Sequence, residues 1–336
     1  MKTATFETTG SITYPEDVAF CFNPIDIAVQ TTNSTTVKVE SGGTSFTDTR
    51  LPLGGNVEID ISMYVRLMFK VDGKSLVASK DVSVTVSTLA DTFSFTFTAI
   101  WGAINIGEVF NAARTVTWFK NYPFTFSLYI AEGARIRTRY DNNKYTVRTL
   151  SSGIQHINPL NYFNPSSFGV IRIDDVEESS STFEYTFDNT FRPVGDGVII
   201  NRLVVDDSDC GIYLRWIDRH GFYQYYLFTV GDKVTDSSAE GEKMNEVYDD
   251  SKYSYFGVSR YQGKSISRVV KACATLVSAD TIDMLMTILS SPLVDMYADS
   301  MWIPVNISSG SFTRSMEHLQ DFEISIEIPD IKSQML

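Results

Sequence analysis

Cysteine is scarce in this chain. The three residues present, Cys21, Cys210 and Cys273, lie far apart with no C-x-x-C spacing, which excludes a disulfide framework or a thiolate zinc site as the organising device. They are read as buried free thiols of a protein made in a reducing compartment. Histidine is equally sparse: His156, His220 and His318 have no second His or Cys at ligand spacing, and no G-x-S-x-G elbow supplies a nucleophile. Positive charge is short as well. Lys and Arg number 28 against 41 Asp and Glu, a net charge of -13, which opposes a nucleic-acid backbone or an anionic lipid surface at long range. No run of 18 apolar residues occurs, and the opening MKTATFETTG has no apolar h-region, so neither a membrane span nor an export signal is expected.

What is abundant is burial potential. The 336 residues are 43% hydrophobic, with 22 Phe and 17 Tyr, and only 21% charged; that composition belongs to a folded chain with room for two or three domains. Period-two alternation recurs at Val82, Val84, Val86, at Phe93, Phe95, Phe97, at Phe183, Tyr185, Phe187 and at Phe322, Ile324, Ile326, Ile328. Each run sends alternate side chains to one face of a sheet. Turn residues separate the runs: Gly42-Gly43, Gly54-Gly55-Asn56, Asp72-Gly73, Asp141-Asn142-Asn143, Gly195-Asp196-Gly197 and Arg219-His220-Gly221. The expected fold class is mainly β, two or three sandwich- or barrel-like domains in tandem.

Two segments depart from this. Ile282, Leu285, Met286 and Leu289 fall at helical spacing, with Ser278 as N-cap, Asp280 in the first turn and Pro292 beyond, which predicts a short amphipathic helix over about 279–290 in the C-terminal module. Ile61 to Phe69 fits both periods and stays open between helix and strand. The expected domains are 1–110, a sandwich; 111–209, a middle β domain; and 210–336, a C-terminal β module with that one helix. The acidic, polar stretch 231–254 is expected to be a long surface loop, mobile or ordered by a neighbouring subunit.

Motifs for catalysis or cofactor binding are weak. Gly263-Lys264-Ser265 resembles the end of a phosphate loop, but five residues separate Gly257 from Gly263 where that loop has four. Asp206, Asp207, Asp209 and Gly211 lack the closing Glu of a calcium loop and are read as a polar turn. Asp174-Asp175 and Glu177-Glu178 are read as a solvated charge cluster. No catalytic residues, metal or cofactor are therefore expected, and the chain is taken as non-enzymatic. Aromatic clusters say more. Cys210–Phe228 reads as two strands around an Asp-Arg-His-Gly turn with rings on both faces, and a second patch runs from Trp118 to Phe126. Trp118, Tyr213, Trp216, Tyr223, Tyr225 and Trp302 are the candidate interface or ligand-stacking rings; cross-strand packing inside the domain is the competing account.

The hairpin Gly211-Ile212-Tyr213-Leu214-Arg215-Trp216-Ile217-Asp218, with Gly221 and Tyr225-Tyr226-Leu227-Phe228, resembles one in uncharacterised tail-region structural proteins of tailed phages and prophages of gut bacteria. Similar patches are Ile100-Trp101-Gly102-Ala103, Arg114 to Phe119 with Tyr122-Pro123-Phe124, and the C-terminal Leu289-Ser290-Ser291-Pro292, Trp302-Ile303-Pro304-Val305 and Phe322-Glu323-Ile324. The resemblance covers about 95–330 in patches. It implies a structural role in a virion tail, as a hub, ring or baseplate protein made in the host cytoplasm, whose partners are copies of itself and other tail proteins. The alternative expectation is a carbohydrate-binding or adhesin-type sandwich, because exposed Trp and Tyr stack on sugar rings.

Overall fold

A computed structural model describes residues 1–7, 10–69, 77–112, 114–130, 135–140, 144–149, 151–161, 185–188, 200–245, 259–309 and 319–328. Strand makes up 62% of the structure and helix 9%, so the chain is mainly β. It forms two compact units. Unit 1 comprises Met1–Asp209, Trp216–Tyr225 and Ser290–Pro292; unit 2 comprises Cys210–Arg215, Tyr226–Leu289 and Leu293–Leu336.

Unit 1 opens with β1 (Lys2–Phe6), β2 (Gly10–Tyr14), β3 (Val18–Phe20), β4 (Asp26–Gln30), β5 (Thr35–Ser41), β6 (Thr44–Arg50), β7 (Asn56–Asp60), the helix α1 (Ser62–Leu67), β8 (Ser79–Ser87) and β9 (Thr92–Ile100). These make two sheets, β1-β2-β4-β7 and β3-β9-β8-β5-β6. The alternating valines explain the layering. Val37 pairs with Val86 and Val39 with Val84 across β5 and β8, and all four share one core with Phe6, Ile12, Ile27, Val29, Val57 and Ile59 of the other sheet. This is a β-sandwich. Gly42 and Gly43, both at positive φ, turn β5 into β6.

The ambiguous segment 61–69 is resolved by a change of period at one residue. Alternation buries Val57 and Ile59 and stops at Asp60; thereafter Ile61, Val65 and Met68 are buried at helical spacing, while Met63 and Leu67 face solvent. Met63 and Leu67, which share the helical period with Met68, therefore lie off the buried stripe, and only Met68 of the three is on it. Asp60 sets the switch: its carboxylate accepts from the backbone N–H of Ile25 (3.0 Å) and Ser62 (2.8 Å) and from the Ser62 hydroxyl (3.0 Å). Burial alone would raise its pKa; those donors and Arg66 outweigh it and hold the carboxyl below its usual 3.8. A carboxyl depressed by folding stabilises above the unfolded value and loses that contribution as pH falls through the folded one. Asp60→Ala is expected to lower stability by about 1 kcal/mol at neutral pH, with the difference from the parent shrinking below pH 3.8. Urea titrations of both proteins at several pH values check this.

The rest of unit 1 holds β10 (Thr115–Phe119), β11 (Phe126–Ile130), β12 (Arg135–Tyr140), β13 (Lys144–Thr149), β14 (Gly153–Ile157), β15 (Tyr185–Asp188) and β16 (Ile200–Asp206). They form the sheet β10-β16-β15-β12-β13, in which β10 and β16 run parallel, and the pair β11-β14. The boundary expected near 110 falls within unit 1, where Phe20, Ala78, Ile100, Tyr129, Ile154 and Phe222 share one buried cluster.

Next come β17 (Ile212–Ile217), β18 (Tyr223–Asn245), β19 (Ser259–Ser278), the helix α2 (Ala279–Met286), β20 (Val294–Ala298), β21 (Met301–Pro304), β22 (Asn306–Ser309) and β23 (Leu319–Ile328). The strands form one sheet of order β21-β20-β17-β18-β19-β23-β22. The helix begins where expected, Ser278 Oγ accepting from the Thr281 N–H with Asp280 in the first turn. It ends earlier, at Met286, and passes into a 3-10 turn at Thr287–Ser290. The buried stripe is Ile282, Leu285 and Ile288; Met286 and Leu289, expected on it, are exposed, the stripe continuing at a spacing of three into the 3-10 turn. Phe322, Ile324 and Ile326 of β23 are buried in strict alternation, as the pattern predicts. The turns at Asp72-Gly73, Asp141-Asn142-Asn143 and Gly195-Asp196-Gly197, the Asp174 to Glu178 cluster, Phe183 and His318 lie outside the described residues.

Candidate assembly interface

The six candidate rings separate cleanly. In unit 1, Trp118 and Trp216 are buried, as is Tyr225; Trp118 stacks on Phe124 (6.0 Å between centroids), and Tyr225 lies 5.1 Å from Phe124 with its hydroxyl 2.7 Å from Thr125 Oγ1. Tyr223 is half-buried, 4.6 Å from the His156 ring. In unit 2, Tyr213 is buried and Trp302 half-buried, with the Arg215 guanidinium 4.3 Å from the Trp302 centroid. Trp118, Tyr213, Trp216 and Tyr225 are taken up by packing inside the fold; Tyr223 and Trp302 keep partial access. The thiol expectation needs correction: Cys21 is buried, but Cys273 is half-buried and Cys210 exposed.

Gly263-Lys264-Ser265 lies within β19, paired with Ala239 and its neighbours, so no phosphate loop forms there. Asp206 turns the chain after β16 by accepting from the Ser208 N–H (2.8 Å), the polar turn expected. Among the described residues no three His, Cys, Asp or Glu side chains are grouped to hold a metal ion, and no helix is long and apolar enough to cross a membrane.

A polar cluster that sequence reasoning missed lies in unit 1. Ser127 and His156 are opposite each other on β11 and β14, with Ser127 Oγ 2.7 Å from His156 Nδ1. The pairing superficially has nucleophile–base geometry. Ser127 is 1% exposed and its Oγ also accepts the Tyr223 N–H at 3.0 Å, so the hydroxyl is tied into the fold and has no open approach. Nearby, His220 sits at the hairpin tip, where the buried Asp218 accepts from the N–H groups of His220 and Phe222 (both 2.9 Å) and from Gln224 Nε2 (2.7 Å). Gly221, at φ +78, completes the turn. Arg219 Nε donates to Glu108 Oε1 at 3.1 Å. His220 Nε2 lies 3.0 Å from the same oxygen but off the line of a hydrogen bond. Burial opposes the Glu108 charge, but the Asn105 N–H, Arg219 and His220 outweigh it and hold its pKa below the usual value. No spacing in the sequence announces these contacts, because register and a tight turn create them.

The feature without an internal purpose is the ribbon of β18 and β19, 23 and 20 residues long. The segment expected to be a loop is strand as far as Asn245; 246–254 lies outside the described residues. β17 has six residues and joins β18 through the 218–222 turn, so it covers only the start of β18. β23 pairs with β19 from Arg268 to Ser278. From Thr235 to Asn245, opposite Ser259 to Arg268, the two strands are paired essentially with each other, a reach of ~35 Å at 3.3 Å per residue. Every residue from Thr229 to Lys243 is exposed. Gly241, at φ +80, lies within the second of two register shifts. A two-stranded ribbon with one strand wholly exposed is marginal in water, and its open edges are ready to pair.

No known family model matches this sequence, and a search of curated proteins finds no relative.

Proposed function

We propose that the chain is a non-enzymatic structural component of a phage or prophage tail, of the hub, ring or baseplate type. In this reading it assembles with copies of itself into a ring and with other tail proteins. The observation that carries it is the β18–β19 ribbon: some 35 Å of paired strand in which every β18 residue from Thr229 to Lys243 is exposed, an element that gains order from contact with another chain. Packed sandwich cores and a net charge of -13, which repels nucleic acid, suit a component of a DNA-carrying particle. A head-to-tail contact that closes on itself yields a ring. The resemblance to tail-region proteins, in patches over about 95–330, suggests the biological setting, a virion tail assembled in the host cytoplasm.

Light scattering and negative-stain microscopy of the purified protein, alone and with its cognate virion, test the proposal. Discrete rings, or incorporation into the tail, are expected. A monomer at every concentration, absent from the particle, overturns it. Retardation of such a monomer in a polysaccharide gel would instead support the adhesin-type reading, for which Trp302 and Tyr223 are the rings with access.

A further inference from the structure

Charge on the ribbon is sorted by face. Opposite residues of an antiparallel pair share a face and successive residues alternate. The register Asp236↔Ser267, Ser238↔Ser265 and Glu240↔Gly263 therefore puts Asp236 and Glu240 on one face, and Val269↔Glu327 extends that face to Glu327 of β23. The register Thr235↔Arg268, Ser237↔Ile266, Ala239↔Lys264 and Lys233↔Val270 puts Arg268, Lys264 and Lys233 on the other. Lys243, beyond the second register shift, and Lys271, which shares the face of Val269 and is ion-paired with Glu323 at 3.1 Å, are the exceptions; Asp232 and Glu242 lie within the register shifts. All six of these sorted charges are exposed.

The sorting leaves the charges unanswered within the ribbon. Each stands opposite an uncharged residue: Asp236 faces Ser267, Glu240 faces Gly263, Lys264 faces Ala239, Arg268 faces Thr235 and Lys233 faces Val270. None of them appears in an ion pair among the described residues. A ribbon selected to stand alone would place opposite charges across the ladder, where they stabilise it. This one carries an anionic face and a cationic face that complement each other only between two copies.

We propose that copies of the chain join by laying the cationic face of one ribbon, Lys233, Lys264 and Arg268, on the anionic face of another, Asp236, Glu240 and Glu327. The contact is head-to-tail, because each ribbon presents a different face to each neighbour, and repetition closes a ring. Ile266, half-buried between Lys264 and Arg268, supplies an apolar centre. This rests on the reading of the chain as a self-assembling structural protein.

The test is a charge swap. Asp236→Lys with Glu240→Lys makes both faces cationic; Lys264→Glu with Arg268→Glu makes both anionic. These positions are exposed, so each variant is expected to melt like the parent. Each alone should self-associate on the order of 100-fold more weakly in sedimentation at low salt, and an equimolar mixture should recover association with the variants alternating. Association of the parent should weaken towards 1 M salt, where screening shortens to about 3 Å. If both variants assemble like the parent, the ribbon contact is wrong and the structural role stands on another interface. If the variants are monomeric and their mixture stays so, face-to-face pairing is wrong. A parent that is monomeric even at low salt overturns this contact and the assembly reading together.

Discussion

Leu285→Asp is expected to lower the stability of unit 2 by on the order of 5 kcal/mol. Leu285 is 0% exposed, in a stripe with Ile282 and Ile288, and its helix packs on β19 and β23, where Val270, Ala272, Ala274, Phe322, Ile324 and Ile326 are buried. Losing the leucine removes about 2–3 kcal/mol of apolar burial, and a carboxyl without a partner in that setting adds several more or forces the helix off the sheet. Either outcome consumes much of the 5–15 kcal/mol typical of a domain. Urea unfolding followed by tyrosine and tryptophan fluorescence measures it. Met286→Asp is the internal control: one residue on, but 38% exposed, it should change stability by less than about 1 kcal/mol. Two indistinguishable melting curves for Leu285→Asp and the parent would mean that the buried face of the helix is assigned wrongly.

The contrast between neighbours shows where sequence reading succeeds. Alternation announces a strand only when one face is buried, so the valines of β8 and the Phe322-Ile324-Ile326 run of β23 were legible to the residue. Met286 and Leu289 were misplaced because the buried positions recur every three residues, Ile282, Leu285 and Ile288, into the 3-10 turn at Thr287–Ser290, and not at i+4 and i+7. Residues 231–245 read as a loop for a deeper reason. A strand exposed on both faces has no apolar alternation to display, and its signal is instead the sorting of charge sign by face, visible only once the register is known. The candidate rings were ambiguous in the same way: composition identifies Trp216 and Tyr223 as aromatic, and only the tertiary fold buries the first while leaving the second partly open. Of the proposed interface, the sequence had offered Lys264 only as a false phosphate-loop residue.

Arg114→Met is the second large effect expected, about 3 kcal/mol in unit 1. Although the residue as a whole is half-buried, its guanidinium lies 4.9 Å from the Phe126 centroid and 4.4 Å from that of Phe222, and donates to the Ser127 carbonyl. Burial pushes its pKa down to about 10, against the attraction of Asp218; the group is therefore still a cation at neutral pH, stacked between rings and balancing an anion that is 9% exposed. Methionine keeps most of the volume and removes the charge, the ring stacking as a cation and the bond to Ser127. Replacing a whole buried pair by apolar side chains can be neutral, but removing one member leaves the other charge uncompensated, at 3–5 kcal/mol. The loss should therefore depend on Asp218. Asp218→Asn in the Arg114→Met background should add less than it does in the parent, by at least about 1 kcal/mol in a double-mutant cycle. Arg114→Lys, which retains charge but not the planar fork, should fall between Met and the parent. Strict additivity would mean that Arg114 acts through packing alone and that the Asp218 turn is held by its own three donors, the N–H groups of His220 and Phe222 and the Gln224 amide.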